Sequence, residues 1–213
     1  MIQFVDQQRL HRFRTRDAGA EPDTIAYRCE GCGHTGTLAL YKISKENVLT
    51  TNPLNTDFSI SAGEVGSKGL EIDISGEIMK NVRVSAAYAY TDAKVTKGDN
   101  TIITGSQFPN VPKQSASAVV TRMFKIGEAA ASLGAGFNHV GERLGDVAVT
   151  SNFRLPAYTT VRLISSYSPN KKLRLALNVD NLFNKRYYAS SYSQVWVAPG
   201  TERTIILNAQ YKF

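Results

Sequence analysis

Read from its end, the chain alternates. Phe213, Tyr211, Ala209, Leu207 and Ile205 are apolar, while the residues between them, Lys212, Gln210, Asn208, Ile206 and Thr204, are mostly polar. Successive side chains of a strand point to opposite faces, so this stretch is a ribbon with one greasy and one wet face. The pattern recurs upstream. Val82, Val84, Ala86, Tyr88 and Tyr90 alternate with Arg83, Ser85, Ala87, Ala89 and Thr91, and Leu70, Ile72 and Ile74 alternate with Glu71, Asp73 and Ser75. Leu173, Leu175, Leu177 and Val179 alternate with Lys172, Arg174, Ala176, Asn178 and Asp180. Period-2 patterning predicts eight strands, over about 36–48, 66–78, 82–95, 113–124, 129–142, 157–168, 172–183 and 203–213. The polar sets are too charged for the shared core of a soluble sandwich. They suit a wet lumen, with the greasy sets against lipid.

The connections alternate as well. Met79-Lys80-Asn81, Lys125-Ile126-Gly127-Glu128 and Pro169-Asn170-Lys171 are tight turns, separated by long stretches at Leu49–Val65, Thr96–Pro112, Gly141–Pro156 and Asn184–Glu202. Outer-membrane barrels join their strands by short periplasmic turns and long external loops. With the C-terminus in the periplasm, every short turn falls inside and every long loop outside. The strands are about as long as the ~9–11 residues needed to cross the hydrocarbon at a tilt. Tyr88, Tyr90, Phe124, Tyr158, Tyr167, Phe183, Tyr187, Tyr188, Tyr211 and Phe213 cluster near strand ends, where interfacial girdles lie. The fold class expected is all-β: an antiparallel up-and-down transmembrane β-barrel segment of about eight strands. Aromatics at the sheet edges of a soluble protein are the plainer alternative.

Composition changes little. With 42% hydrophobic and 20% charged residues the 213-residue chain reads as ordered. A net charge of +7 permits nucleic-acid binding, but the basic residues are dispersed apart from a cluster at 9–16, so no nucleic-acid partner is expected. No run approaches the ~20 apolar residues of a membrane helix. The N-terminus lacks the apolar centre and small-residue cleavage site of a signal peptide.

Residues 1–35 read as a separate, atypical segment, non-native or disordered, with no alternation long enough for a strand; residues 36–213 form the barrel segment. Within the head, Cys29, Cys32 and His34 have the ligand types and spacing of half a zinc site, for which His11 is the one nearby fourth ligand. This is the lesser alternative, and no metal is expected. His139, the third histidine, belongs to a strand. The Gly134-Ala-Gly136 segment lies in a strand and is not followed by a helix, so it is no nucleotide loop. No Ser-His-Asp set or paired-carboxylate site is defensible. No catalytic residue, no cofactor and no enzyme activity are expected.

Several segments resemble the C-terminal β-barrel part of TonB-dependent siderophore (ferrichrome-type) outer-membrane receptors. They are Ala39-Leu40-Tyr41-Lys42-Ile43, Lys45-Glu46-Asn47-Val48-Leu49-Thr50, Gly63-Glu64-Val65, Ser67-Lys68-Gly69-Leu70-Glu71, Tyr88-Ala89-Tyr90-Thr91-Asp92-Ala93 and Pro109-Asn110-Val111-Pro112-Lys113. The most specific is Asn178-Val179-Asp180-Asn181-Leu182-Phe183-Asn184-Lys185-Arg186-Tyr187-Tyr188, followed by Gly200-Thr201-Glu202-Arg203 and the terminal Phe213. The resemblance spans roughly Gly36 to Phe213.

It implies TonB-dependent uptake of a ferric siderophore across the cell outer membrane, by a barrel of about 22 strands plugged by an N-terminal domain. On that reading the chain is a fragment, without plug, TonB box or leader, and not functional alone. It meets the TonB complex only through upstream parts, outer-membrane lipid through its wall, and the assembly machinery through the last strand ending in Phe213. Family members bind ligand with rings and a few polar groups at the outer mouth, which nominates Trp196 and Tyr192, then Phe108 and Phe153. The bland reading is that these rings pack loops. Glu202 and Arg203 are expected as an ion pair on the wall. The alternative function is an autonomous eight-stranded outer-membrane barrel with a structural or adhesive role. A soluble zinc-ribbon or nucleic-acid module is the third. Equimolar zinc retained by the purified protein and lost in Cys29→Ser would establish the zinc alternative; no retained zinc removes it.

Overall fold

The computed structural model describes residues 23–31, 34–51, 59–98, 103–146 and 153–213, with the backbone course alone for 23–31, 47–51 and 59–62. In chain order the strands are β1 (Asp23–Gly31), β2 (His34–Thr51), β3 (Ser59–Met79), β4 (Val82–Lys97), β5 (Gln114–Ile126), β6 (Ala129–Val140), β7 (Arg143–Leu144), β8 (Arg154–Leu155), β9 (Tyr158–Ser168), β10 (Leu173–Asp180), β11 (Tyr188–Ser193), β12 (Trp196–Pro199) and β13 (Thr204–Tyr211). Nine form one sheet in the order β1-β2-β3-β4-β5-β6-β9-β10-β13, each antiparallel to its neighbours. The small hairpins β7–β8 and β11–β12 sit inside two of the long connections.

The all-β, antiparallel, up-and-down expectation is met, with two corrections. The sequence pattern predicts no strand within 1–35, yet β1 lies there and pairs with β2 from Asp23↔Lys42 to Gly31↔His34. Its backbone is held by ladder hydrogen bonds, which need no amphipathic pattern. The connection expected at Leu49–Val65 is mostly strand, because β2 and β3 continue pairing to Thr51↔Ser59 past two register shifts. At ~3.3 Å per residue the 21-residue β3 is roughly 70 Å long, about twice what a tilted membrane strand needs. β2 and β3 therefore project well beyond the lipid.

The tight turns have local causes. Asn81 (φ 64°) and Gly127 (φ 61°) supply the left-handed residue that two-residue hairpins demand. The β9–β10 turn is held by Asn170, whose Oδ1 accepts from the backbone N–H groups of Lys172 (2.9 Å) and Leu173 (3.0 Å).

Register sorts the two faces. Cα partners run in rows such as Leu38–Ile72–Tyr88–Ala116, Ile74–Ala86–Ala118–Phe137–Val161 and Val84–Val120–Ala135–Leu163–Val179–Ile205. The opposite face carries rows such as Thr37–Asp73–Ala87–Ser117–Asn138–Thr160, and on it the Ser132 and Ser166 hydroxyls share a hydrogen bond of 2.7 Å. The greasy rows are not packed under anything: Ile205 is 64% exposed, Leu133 51% and Ile74 51%. A continuous apolar face of this extent is an aggregation liability in water and a solvated surface in lipid. β1 and β13 end the sheet without pairing to each other, so the described wall is an open arc.

On the wet face, Tyr41 lies across Gly69 and shares a 2.9 Å hydrogen bond with the Thr91 hydroxyl. A Cβ on Gly69 would stand 2.3 Å from the Tyr90 carbonyl oxygen and 2.5 Å from the Tyr41 hydroxyl, whereas one on Gly36 meets nothing within 4 Å. Gly69→Ala is expected to destabilise the wall by about 1–3 kcal/mol, as overpacking does. Gly36→Ala is expected to leave it unchanged. Urea midpoints of heat-modifiable migration in detergent read the contrast, and equal midpoints would refute it.

Candidate functional site

Among the described residues, the best-buried side chains are not in the wall. Arg143 and Leu155 are each 1% exposed, and Leu144, Asn181 and Ser191 are also buried, all within the connections at the long-loop end. These connections fold into one body.

Asn110 is the first tie. In a left-handed conformation (φ 60°), it donates from Nδ2 to the Ser191 carbonyl (2.7 Å) and accepts at Oδ1 from the Ser191 N–H (2.9 Å). Its own N–H donates to the Leu144 carbonyl (2.8 Å). One residue thus joins the β4–β5, β6–β9 and β10–β13 connections. The Ser191 hydroxyl adds a bond to the Gly145 carbonyl, and the Gly145 N–H donates to Phe153 (2.8 Å).

Arg143 is the second tie. Its Nη2 donates to the carbonyls of Tyr188 (2.6 Å) and Ala189 (2.8 Å), and its guanidinium lies 5.6 Å from the Tyr158 ring centroid. Tyr158 stacks on Tyr187 at 4.1 Å, and Tyr187 in turn covers Gly200, where a Cβ would come within 2.2 Å of the ring. Cation–π contact strengthens when the cation is desolvated, as here.

Asn181 and Asn184 explain the Asn-Leu-Phe-Asn segment. Both are left-handed (φ 49° and 51°). Asn181 Nδ2 donates to the carbonyls of Lys185 (2.9 Å) and Thr201 (3.0 Å), and its Oδ1 accepts from the Lys185 N–H (2.8 Å). Asn184 Oδ1 accepts from the Arg203 N–H (2.8 Å), so both ends of the longest connection are fastened together above β10 and β13. Leu182 and Phe183 fill the turn between the two asparagines.

The nominated ligand residues are dispersed around this body. Tyr192 (85% exposed) and Trp196 (74%) flank the exposed Gln194–Val195 turn of the β11–β12 hairpin. Phe153 is half-buried against Gly145, where a Cβ would meet its ring at 2.6 Å, so it packs a loop. Phe108 belongs to a segment folded back on the upper part of β4, with its N–H bonded to the Ala93 carbonyl (2.9 Å). Among the described residues Arg203 and Glu202 form no ion pair, whereas Arg154 pairs with Glu142 (3.2 Å). Above the lipid-facing rows, Lys97 (2.9 Å) and the Ser44 hydroxyl (2.8 Å) hold the Glu64 carboxyl below its ordinary range. Cys32 lies outside the described residues and the Cys29 side chain is not described; among the described residues no three metal-ligand side chains cluster.

Arg143 and Ser191 escaped the sequence reading, since nothing in their neighbourhoods alternates or repeats. Asn110 and Asn181 were legible as parts of quoted segments, though not their roles.

Residues 27–182 match the family described as TonB dependent receptor-like, beta-barrel. The metal-pseudopaline receptor CntO of Pseudomonas aeruginosa is 45% identical over 173 residues, 81% of this chain and 24% of that relative. The ferrichrome outer membrane transporter/phage receptor of Escherichia coli is 31% identical over 182 residues, 83% of this chain and 24% of the relative. The crystal structure of the siderophore receptor PiuA from Acinetobacter baumannii superposes with a TM-score of 0.78 at 27% identity, covering 91% of this chain and 28% of that one. The chain spans about a quarter of the length of these two curated relatives.

Removing the Asn110 side chain leaves the Ser191 N–H and carbonyl unpaired, which costs roughly 1–3 kcal/mol. Asn110→Ala is therefore expected to make the 181–203 connection cleave faster in limited proteolysis while the wall stays folded. Unchanged cleavage would show that the loops do not depend on this tie.

Proposed function

We propose, from the premise that the chain belongs to the TonB-dependent receptor β-barrel family, that it supplies wall and outer mouth to an outer-membrane receptor for a ferric siderophore. The observation that carries this is the tied loop body, which presents Tyr192, Val195 and Trp196 together at the free end of one hairpin. Exposed rings on a braced hairpin offer large contact area with little further ordering cost. The cargo then passes inward by means of the TonB complex, acting through parts of the receptor beyond these residues. Outer-membrane lipid is the partner of the greasy face. The assembly machinery reads the end of β13, where Tyr211 and the fully exposed Phe213 meet edge to face at 5.4 Å. The open arc supports a place in a larger wall over an autonomous eight-stranded barrel. The chain's role is binding and transport, not catalysis.

A second reading of the cargo has its own support. The pseudopaline receptor is 45% identical to this chain, against 31% for the ferrichrome transporter. The tied loop body would then recognise a metal–pseudopaline complex.

Uptake of labelled ferric siderophores and of labelled metal–pseudopaline, in cells expressing the receptor that carries this chain, separates the two readings. Trp196→Ala is expected to weaken binding of whichever is cargo by roughly tenfold or more, as loss of an interface anchor does. Unchanged affinity and uptake would remove Trp196 from the site. Uptake of neither complex would refute the receptor reading.

A further inference from the structure

At its short-turn end the wet face opens into a cavity of about 580 Å³, within the size range of small-ligand sites. Register sets its walls: Ala130 stands opposite Ser168, and Arg174 opposite Gln210. One row nearer the rim the Lys212 N–H donates to the Lys172 carbonyl (2.8 Å), which sets those two lysines side by side. Like charges directly opposite one another destabilise a sheet. With Lys171 in the adjoining turn, four bases line the cavity, Lys171, Lys172, Arg174 and Lys212, against one acid, Glu128. All four are exposed, and none forms an ion pair among the described residues.

The surrounding strands bring no opposite charge to these bases. β5, β6, β9 and β13 contain no Asp or Glu. The next wet row above the cavity is neutral, Ser166–Ala176–Asn208. The acid of β10, Asp180, stands at the far end of that strand from Arg174, roughly 20 Å away at ~3.3 Å per residue. The turn also holds the bases in place. Asn170 Oδ1 accepts from the N–H groups of Lys172 (2.9 Å) and Leu173 (3.0 Å), so the backbone that carries Lys171 and Lys172 needs little further ordering on binding.

The short turns put this end of the wall on the periplasmic side, where cargo leaves the lumen. We propose that the cavity is an exit site for an anionic metal chelate, whose free carboxylates are held by Arg174 and the Lys172–Lys212 pair. The guanidinium presents a fork to one carboxylate, and the two ammonium groups converge on another, which ends their mutual repulsion. Gln210 and Ser168 line the same cavity and add neutral hydrogen-bonding groups. Exposed charges are screened by salt and hold a ligand weakly, which suits a site that must let its ligand go. The inference rests on the receptor reading and narrows its cargo to complexes with free carboxylates. It is separate from the loop body at the outer mouth.

The test uses the full-length receptor that carries this chain, in a non-ionic detergent, with equilibrium dialysis of radiolabelled ferric citrate and of a cationic ferric trihydroxamate. Wild type is expected to bind ferric citrate, less of it as salt rises. Lys172→Gln/Arg174→Gln is expected to bind it tenfold or more weakly, on the order of what lost hydrogen bonds to charged groups cost. Lys172→Arg should keep binding, and Lys80→Gln/Lys125→Gln at the other short turns should not lower it. If the double variant does not fold, by heat-modifiable migration, Lys212→Gln alone must show a partial loss. No binding by wild type, or equal binding by wild type and the folded glutamine variants, would overturn the site. The cationic complex bound as tightly, or ferric citrate displaced by equimolar inorganic phosphate, would overturn the carboxylate chelate as its ligand. Binding of labelled cargo at the surface of energy-depleted cells should be the same for wild type and Lys172→Gln/Arg174→Gln. A wild type without surface binding refutes the receptor reading itself, whereas surface binding with ferric citrate retained by the variants sinks this inference alone.

Discussion

Inside a hydrocarbon layer no water is available to a peptide group, so each strand of a spanning wall must bond to a neighbour along its whole crossing. The rest of this molecule follows from that constraint. Antiparallel pairing in sequence order meets it with the shortest connections, which produces the meander from β1 to β13. Pairing in register makes rows, and rows make faces: once Ile72 stands beside Leu38 and Tyr88, Asp73 must stand beside Thr37 and Ala87. The greasy face needs no partner protein because its solvent is lipid. The wet face tolerates Glu71, Asp73 and Arg83 because it borders water or polar protein.

A wall of this kind has little internal core of its own, and the burial shows where order is concentrated instead. Among the described residues the buried polar side chains, Arg143, Asn181 and Ser191, all brace the external connections. Arg143 is notable because its Nη1 has no hydrogen-bond partner although it is buried. Two carbonyls and the Tyr158 face share the charge, an arrangement that holds the hairpins at one angle. The loops are thus braced near the wall and exposed at the β11–β12 tip. Rigidity at the base and exposure at the end suit a recognition surface, since the rings are held out without being consumed by packing.

Much of the wall was legible because alternation is a local property with a strict period. The predicted strands from 82 to 213 agree with the observed ones to within a few residues, and the alternation of short and long joints gave the direction of each. β1 was missed because its residues, Asp-Thr-Ile-Ala-Tyr-Arg-Cys-Glu-Gly, carry no sustained greasy register, and the ladder with β2 is a long-range fact. The ends of β2 and β3 over 49–51 and 59–65 fall in the expected loop because Ser59, Ser61 and Gly63 break the greasy register there. Only the partner strand keeps such a sequence extended. For the loop body the limit is the same: the Asn110–Ser191 pair spans 81 positions, and no local pattern announces it.

The sequence by itself determined the two faces, the turns at Asn81, Gly127 and Asn170, and the direction in which the wall runs, because each depends on neighbours a few residues away. Tertiary structure alone decided what stands beside what. It set Lys42 opposite Lys68, brought Asn110 to Ser191, buried Arg143 beneath Tyr188, and separated Phe153 and Phe108 from the exposed Trp196 and Tyr192. The physical reason is that a cation–π contact and a shared hydrogen bond act over a few ångströms of space, and a sequence records distance only along the chain.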